Sequence, residues 1–372
     1  MGSAYTPGLT VSGDIIVRKT RRLPIKGEVL VQAGAAVTPE SVVARALLPG
    51  ILQTIKLTEK LGVDAKEIRN FVNLKEGDPI EKSQMIAETK GFFGFFKSSV
   101  VSDFGGTVEA ISEITGQILV REPSIPVDIN AYVSGTVADI MDEEGAIIET
   151  RGAMVQGIFG IGGERDGVIR MAVQSNTEVL DVQHIREDDA GKILVGGACI
   201  TAGALKKAME KGVIGLIAGG IRDADLIEFL GYDIGVAITG QEPIPLTVLV
   251  TEGFGTLAIA DRTFKLLASL EGKRASMNGA TQIRAGVIRP EIIVPLENTG
   301  SAHVAATGGE LGIGASVRII REPYFGQLGT VTELPAQLQV VESGTEVRVL
   351  MAKLENGDVV CVPRANVEII AT

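Results

Sequence analysis

The stretch GASVRIIREPYFGQLGTV, Gly314 to Val331, decides how the C-terminal part of the chain is read. Apolar residues alternate on either side of a turn in which Tyr324 and Phe325 follow Pro323, and Gly326 and Gly329 bracket it. That is the pattern of two strands joined by a tight hairpin. Further on, Glu346 to Leu350 and Val359 to Val362 alternate or run apolar, with Asn356-Gly357-Asp358 as a hairpin turn between them. So many short strands in so little sequence predict a small β-barrel.

The same run, closed by Val362-Pro363-Arg364-Ala365-Asn366-Val367-Glu368, resembles a KOW motif on an SH3-like barrel, as in NusG-type transcription factors and several ribosomal proteins. The resemblance covers about Gly312 to Ile370 and implies contact with nucleic acid or with protein, since the KOW barrel of NusG-type proteins often binds protein. Charge separates the two. The chain has 46 Asp plus Glu against 35 Lys plus Arg, a net charge of −11, the wrong sign for a broad phosphate-binding surface. Arg318, Arg321, Arg348, Lys353 and Arg364 can supply a local RNA contact, yet Glu322, Glu333, Glu342, Glu346, Glu355, Asp358 and Glu368 outnumber them. The expectation is a protein-binding barrel with Tyr324 and Phe325 as hydrophobic anchors and with RNA contact disfavoured.

A length of 372 residues allows two or three domains, each able to bury a core. The fold class expected is multidomain, β-rich plus α/β, with boundaries at 1–170, 171–304 and 305–372. Residues 1–170 carry glycine-punctuated short strands in a recurring rhythm. It runs from Gly27 to Val37, from Val72 to Ala87 around a Gly77-Asp78 turn, from Gly105 to Ile111 and from Ser134 to Ile140. The pattern resembles the barrel-sandwich hybrid of biotinyl and lipoyl carrier domains and of RnfC-like electron-transport subunits, over roughly Gly27 to Gly163. Only the scaffold carries over. Lys75 precedes a Gly-Asp turn and lacks a carrier tripeptide, and there are no cysteine clusters for iron–sulfur centres. No cofactor is expected. The segment Gly91 to Lys97 holds four of the chain's eleven phenylalanines, which suits a core plug, a domain interface or a partner-binding patch. Hairpin edges together with this segment predict self-association.

Residues 171–304 change period. Lys192 to Val195 reads as a buried strand. Thr201 caps a helix from Ala202 to Lys211, ended by Gly212, and a second strand, Val213 to Ala218, stops at Gly219-Gly220. Asp223 opens a helix ended by Gly231; strands at Ile234 to Ile238 and Leu246 to Val250 and a helix near Ala258 to Leu270 follow. Such alternation predicts an α/β domain with a largely parallel sheet.

Open α/β sheets take ligands at the carboxyl ends of their strands. Candidate ligand residues are therefore Gly219, Gly220 and Arg222; Gly240 and Glu242; Glu252, Gly253 and Gly255; and Arg284. Glycines permit close backbone approach, and arginine pairs with a carboxylate or phosphate. Glycine pairs and helix caps also serve structure alone, and both readings stay open. Glu242 and Glu252 would form a carboxylate pair only if the fold joins them. Arg289 is a candidate partner-binding anchor.

His184 and His303 have no nucleophile or ligand partner at diagnostic spacing, and no nucleophile elbow is present; catalytic residues remain unassigned and no metal is expected. Cys199 and Cys361 lie far apart in apolar runs, which suits free thiols in a reducing cytoplasm. No apolar run reaches the ~18 residues of a membrane span. These features predict a cytoplasmic, self-associating scaffold for macromolecular assembly, more readily than an enzyme. The alternative is a small-anion ligand-binding or catalytic α/β domain positioned by its β modules.

Overall fold

The computed structural model describes residues 9–89, 98–232, 244–281, 288–296, 303–304, 311–319, 321, 323–324, 327–340, 346–354 and 356–369. Its largest feature is a mixed sheet of 14 strands. At its heart lie four parallel strands, Glu164–Met171, Lys192–Val195, Gly215–Ile221 and Thr247–Phe254, adjacent in the order in which the chain makes them. Burial explains the composition of the inner strands: Gly215–Ile221 is buried at every residue, as a strand covered on both faces must be.

Alternate side chains fill two cores. Leu194, Leu216, Val248 and Val250 face the helices Ala202–Glu210 and Asp223–Leu230, which contribute Leu205, Ala208 and Leu226. Ile193, Val195, Ile217 and Leu249 face the other way, against Leu267 of the helix Asp261–Ser269. The first helix is capped by Thr201, whose hydroxyl accepts from the Ala204 N–H, and the second ends on Gly231 at φ 80°. Both match the sequence expectation; the expected strand at 234–238 lies outside the described residues.

Beyond Glu164–Met171 the sheet turns antiparallel, through Arg274–Asn278, Glu291–Pro295, Gly145–Gln156 and Val11–Arg22. The expected boundary at residue 170 therefore falls at the end of a strand bonded on both sides to later segments. The N-terminal β lobe folds over the antiparallel half, with Val43, Tyr132, Val133 and Val137 packed on Ile15, Val17, Ile148 and Ile293. Residues 52–121 branch out of that lobe between its paired strands Val42–Leu48 and Ile125–Asn130, and they close on a core of their own around Leu57, Ile68, Ile86 and Ile118. No helix among the described residues is long and apolar enough to cross a membrane.

The C-terminal unit is a five-stranded antiparallel sheet in the order Val359–Pro363, Val349–Leu354, Leu328–Glu333, Ser316–Ile319, Val367–Ile369. Val317, Ile319, Val331, Leu350 and Ala352 form its core. The hairpin expected at Asn356-Gly357-Asp358 is present, with Gly357 at φ 94° and the Leu354 N–H donating to the Asp358 carbonyl at 2.7 Å.

Candidate functional site

Gly219 and Gly220, expected to end a strand, lie within Gly215–Ile221, and Gly253 lies within Thr247–Phe254; with Arg222, Glu252 and Gly255 they gather toward the carboxyl ends of the parallel strands. The chain itself lies across them. The segment 255–259 crosses the strand ends, with the Gly255 N–H donating to the Ile221 carbonyl at 2.8 Å and the Leu257 N–H to the Ala198 carbonyl at 2.9 Å. A Cβ at Gly219 would collide with the Leu257 carbonyl oxygen, and one at Gly220 with the Gly255 carbonyl oxygen. The glycine pair thus admits this crossing backbone. Gly253 and Gly255 hold φ of 133° and 115°, which side-chain-bearing residues rarely adopt.

The charged members of the set are also engaged from within. Arg222 donates from Nε to Asp225 at 2.5 Å, a bond that raises the arginine's pKa, while the other Asp225 oxygen accepts from the Ala202 N–H at 3.1 Å. The chain's own carboxylate therefore sits where an anion would meet that helix N-terminus. His184 is held locally: Nδ1 accepts from the Asp181 N–H at 3.0 Å, and Nε2 lies 3.1 Å from Glu178. Asp181 accepts from the Val182 N–H and from the Thr201 hydroxyl, and these bonds hold its carboxyl below the usual range.

Glu252 is the most consequential of these residues. It is buried. One oxygen accepts from the Ala260 N–H at 3.2 Å, at the start of a helix whose own N-cap residue supplies no side-chain acceptor. The other accepts from Arg318 Nη1 at 2.7 Å, in an ion pair with both side chains 7% exposed. Arg318 belongs to the strand Ser316–Ile319, so this bond joins the C-terminal sheet to the end of the parallel sheet. Beside it is a cavity of about 20 Å³ lined by Gln156, Thr251, Arg262, Thr263 and Leu328, room for about one water.

Of the remaining candidates, Gly240, Glu242, Arg284 and Phe325 lie outside the described residues, and with Glu242 goes the expected carboxylate pair. Arg289 is half-buried just before Glu291–Pro295. Tyr324 is half-buried and packs against the C-terminal core.

A second polar cluster, unnamed by the sequence reading, lies where the N-terminal lobe meets the sheet. Lys19 pairs with buried Glu291. Arg21 grips Glu164 through both terminal nitrogens at 2.7 and 2.8 Å, donates from Nε to the Asn130 carbonyl and lies 5.4 Å from the centre of the Tyr132 ring. Arg274 pairs with Asp166 and, at 2.9 Å, with Glu40 of the lobe. Burial raises the Asp166 pKa, partly offset by Arg274. Tyr132 is buried at φ 71°, a strained backbone for a bulky residue. Its phenol oxygen lies beside the Glu291 carboxylate, with no bond of good geometry among the described residues. Burial, then the charges of Glu291 and Glu164, push its pKa well up. A signal for this seam exists in the sequence: Lys19 and Arg21 share the parity of Ile15 and Val17, which face the core.

No protein-family model matches the chain, and a search of curated proteins finds no match either.

Proposed function

We propose that this protein is a non-catalytic modular scaffold for macromolecular assembly, in which an SH3-like barrel of KOW type binds protein while a β-rich body holds it in place. On this reading a barrel-sandwich-like N-terminal domain and an α/β domain form the body. The observation that carries it is the fate of Glu252. The carboxylate best placed for ligand or acid–base work is buried against Arg318 and the Ala260 N–H, and it serves as a tie between units. The tie also removes Arg318 from the cations a nucleic acid would need, which favours protein as the barrel's partner. Self-association in a cytoplasmic setting completes the proposal.

A thermal-shift screen of nucleotides, phosphates and carboxylic acids on the wild type and on Arg222→Ala tests it. No ligand is expected to shift the transition. A shift abolished by the substitution would overturn the scaffold reading in favour of a small-anion site. The barrel's partner is tested by a salt titration of RNA binding to the full chain, where tight binding that weakens steeply with salt would refute a protein-binding barrel.

A further inference from the structure

We propose that the docked C-terminal unit holds shut a strap over the carboxyl ends of the parallel strands, and that a partner which draws the unit away releases the strap. The strap is the segment 253–260. It leaves Glu252 through Gly253 and Gly255, whose φ of 133° and 115° suit a pivot. The Gly255 and Leu257 N–H groups bond the Ile221 and Ala198 carbonyls, and the Gly255 and Leu257 carbonyls fill the space that side chains at Gly220 and Gly219 would take. Thr256 and Ala258 are exposed on the outer side, so solvent lies above the strap and the strand ends below it. At the far end Ile259 is buried in the core and its carbonyl accepts from Asn176 at 2.8 Å, which confines movement to residues 253–258 and the Ala260 N–H.

One side chain closes the strap and also holds the C-terminal unit. Glu252 reaches across the loop to the Ala260 N–H with one oxygen and takes Arg318 Nη1 with the other. The core of the C-terminal unit is drawn from the unit's own residues, and the cavity beside the ion pair is lined from both sides of the junction, by Thr251, Thr263 and Leu328. A polar, incompletely filled seam of this kind permits relative motion. While Arg318 is in place, Glu252 is shut off from water and its carboxylate is pinned toward Ala260. When the unit leaves, the face it covered opens to solvent, and the carboxylate gains more by turning to water than by keeping a 3.2 Å bond to one amide. The helix Asp261–Ser269 then loses the acceptor at its start, and the loop that Glu252 closed is open at one end. The two orientations of this carboxylate are the two states that the strap and the C-terminal unit both bias. Such coupling is reciprocal: whatever lifts the strap weakens the hold on Arg318 by the same factor. The strap responds in the same way whether protein or nucleic acid takes the unit. A partner bound by the C-terminal unit thereby uncovers a second surface, the backbone of Gly219 and Gly220.

Hydrogen exchange of the full chain, read by mass spectrometry, tests the coupling. In Arg318→Met the amides of Gly255, Leu257 and Ala260 are expected to exchange faster by about tenfold or more, the effect of losing one bond to a charged group, while Lys192–Val195 and Ala202–Glu210 exchange as in the wild type. Adding Glu252→Gln is expected to return the strap toward wild-type protection, because a neutral amide gains less from water and stays on the Ala260 N–H. The reverse direction is read at Arg318. Phenylglyoxal, which modifies exposed arginines, is expected to react slowly with Arg318 in the wild type and faster in Gly219→Ala, whose Cβ pushes the strap from beneath. This arm decides the matter alone if Arg318→Met does not fold. Strap exchange unchanged in Arg318→Met would overturn the proposal by showing that the strap is held without the latch. A rise equally large in Lys192–Val195 would overturn it as a loss of global stability, and so would Arg318 reactivity unchanged in Gly219→Ala, which would show no coupling.

Discussion

At the junction with the C-terminal sheet Arg318 meets Glu252, and both side chains are buried. At the junction with the N-terminal lobe, Lys19, Arg21 and Arg274 meet Glu291, Glu164, Asp166 and Glu40 in a row that runs from the interior to the surface. The chemistry is the same and the consequence differs. Without Arg318 the buried Glu252 keeps only the Ala260 N–H among the described residues, so its charge is stranded in a medium that solvates it poorly. In the row Arg274 holds two carboxylates at once, and the outer members are screened by water. The first junction should fail at one residue, and the second should fail gradually.

The largest effect is expected from Arg318→Ala, which strands Glu252. Breaking a buried pair from one side costs about 3–5 kcal/mol. Thermal unfolding should lose that stability, or the C-terminal unit should detach, which limited proteolysis would report as faster cleavage of the chain. Combining Arg318→Met with Glu252→Gln should recover much of the loss, because the amide oxygen still accepts from the Ala260 N–H and no charge remains buried. A double variant no more stable than Arg318→Ala would show that the pair's charge is not what holds the junction.

Gly219→Ala attacks the same junction from beneath. Its Cβ meets the backbone of the segment that carries the chain to Ala260, and that backbone must shift. A cost of about 1–3 kcal/mol is expected from overpacking. Urea unfolding should show a lowered midpoint with an unchanged slope. A neutral result would mean that segment 255–259 yields freely and does not seal the strand ends.

Local patterns made much of the parallel half legible. The runs at residues 193–195 and Gly215–Ile221 are continuously apolar, and Thr201 and Gly231 mark helix ends through bonds made within a few residues. The antiparallel half was legible only in its alternation, because alternation tells which face a residue takes and not which strand lies beside it. Nothing local to Gly145–Gln156 states that its neighbours are Val11–Arg22 and Glu291–Pro295. The candidate site divides in the same way. Glu252 was legible as a strand-end carboxylate, but its partner lies 66 residues on, in a segment whose own pattern concerns only the C-terminal sheet. Lys19 and Arg21 were hidden by the usual assumption that charges in a strand face water.

Arg274→Ala probes the outer end of the row and should cost less. Its partner Glu40 is exposed, and surface pairs contribute about 0.2–1 kcal/mol. The pH dependence carries the sharper signature. Burial raises the Asp166 pKa, and Arg274 is what lowers it again. An acid with a raised folded pKa disfavours folding in its ionised form: the penalty is full above the folded pKa and vanishes below the unfolded value of about 3.9. Removing Arg274 enlarges that penalty. The difference between variant and wild type should therefore be largest near neutral pH and shrink as pH falls toward 3.9. A difference independent of pH would place Asp166 outside the coupling.

The smallest effect is expected at the strained residue. Tyr132→Phe removes a buried hydroxyl whose contact with Glu291 falls short of hydrogen-bond geometry, and leaves the ring against Arg21. An unsatisfied buried polar group opposes folding, so its removal should be neutral or stabilising by about 1 kcal/mol near neutral pH. The positive φ is unchanged by the substitution, and so is the strain it carries. The variant should separate from the wild type in alkali. Because burial and two nearby carboxylates raise the folded pKa of the phenol, the unfolded chain ionises first, and wild-type stability declines as pH rises above the ordinary tyrosine value of about 10. The phenylalanine variant lacks this contribution and should lose less stability over the same rise. Chemical denaturation of both proteins at neutral and alkaline pH checks this directly. A variant weakened by 2 kcal/mol or more at neutral pH would show that the phenol donates a bond within the seam, to Glu291 above all, and that the row depends on Tyr132 as the first junction depends on Arg318.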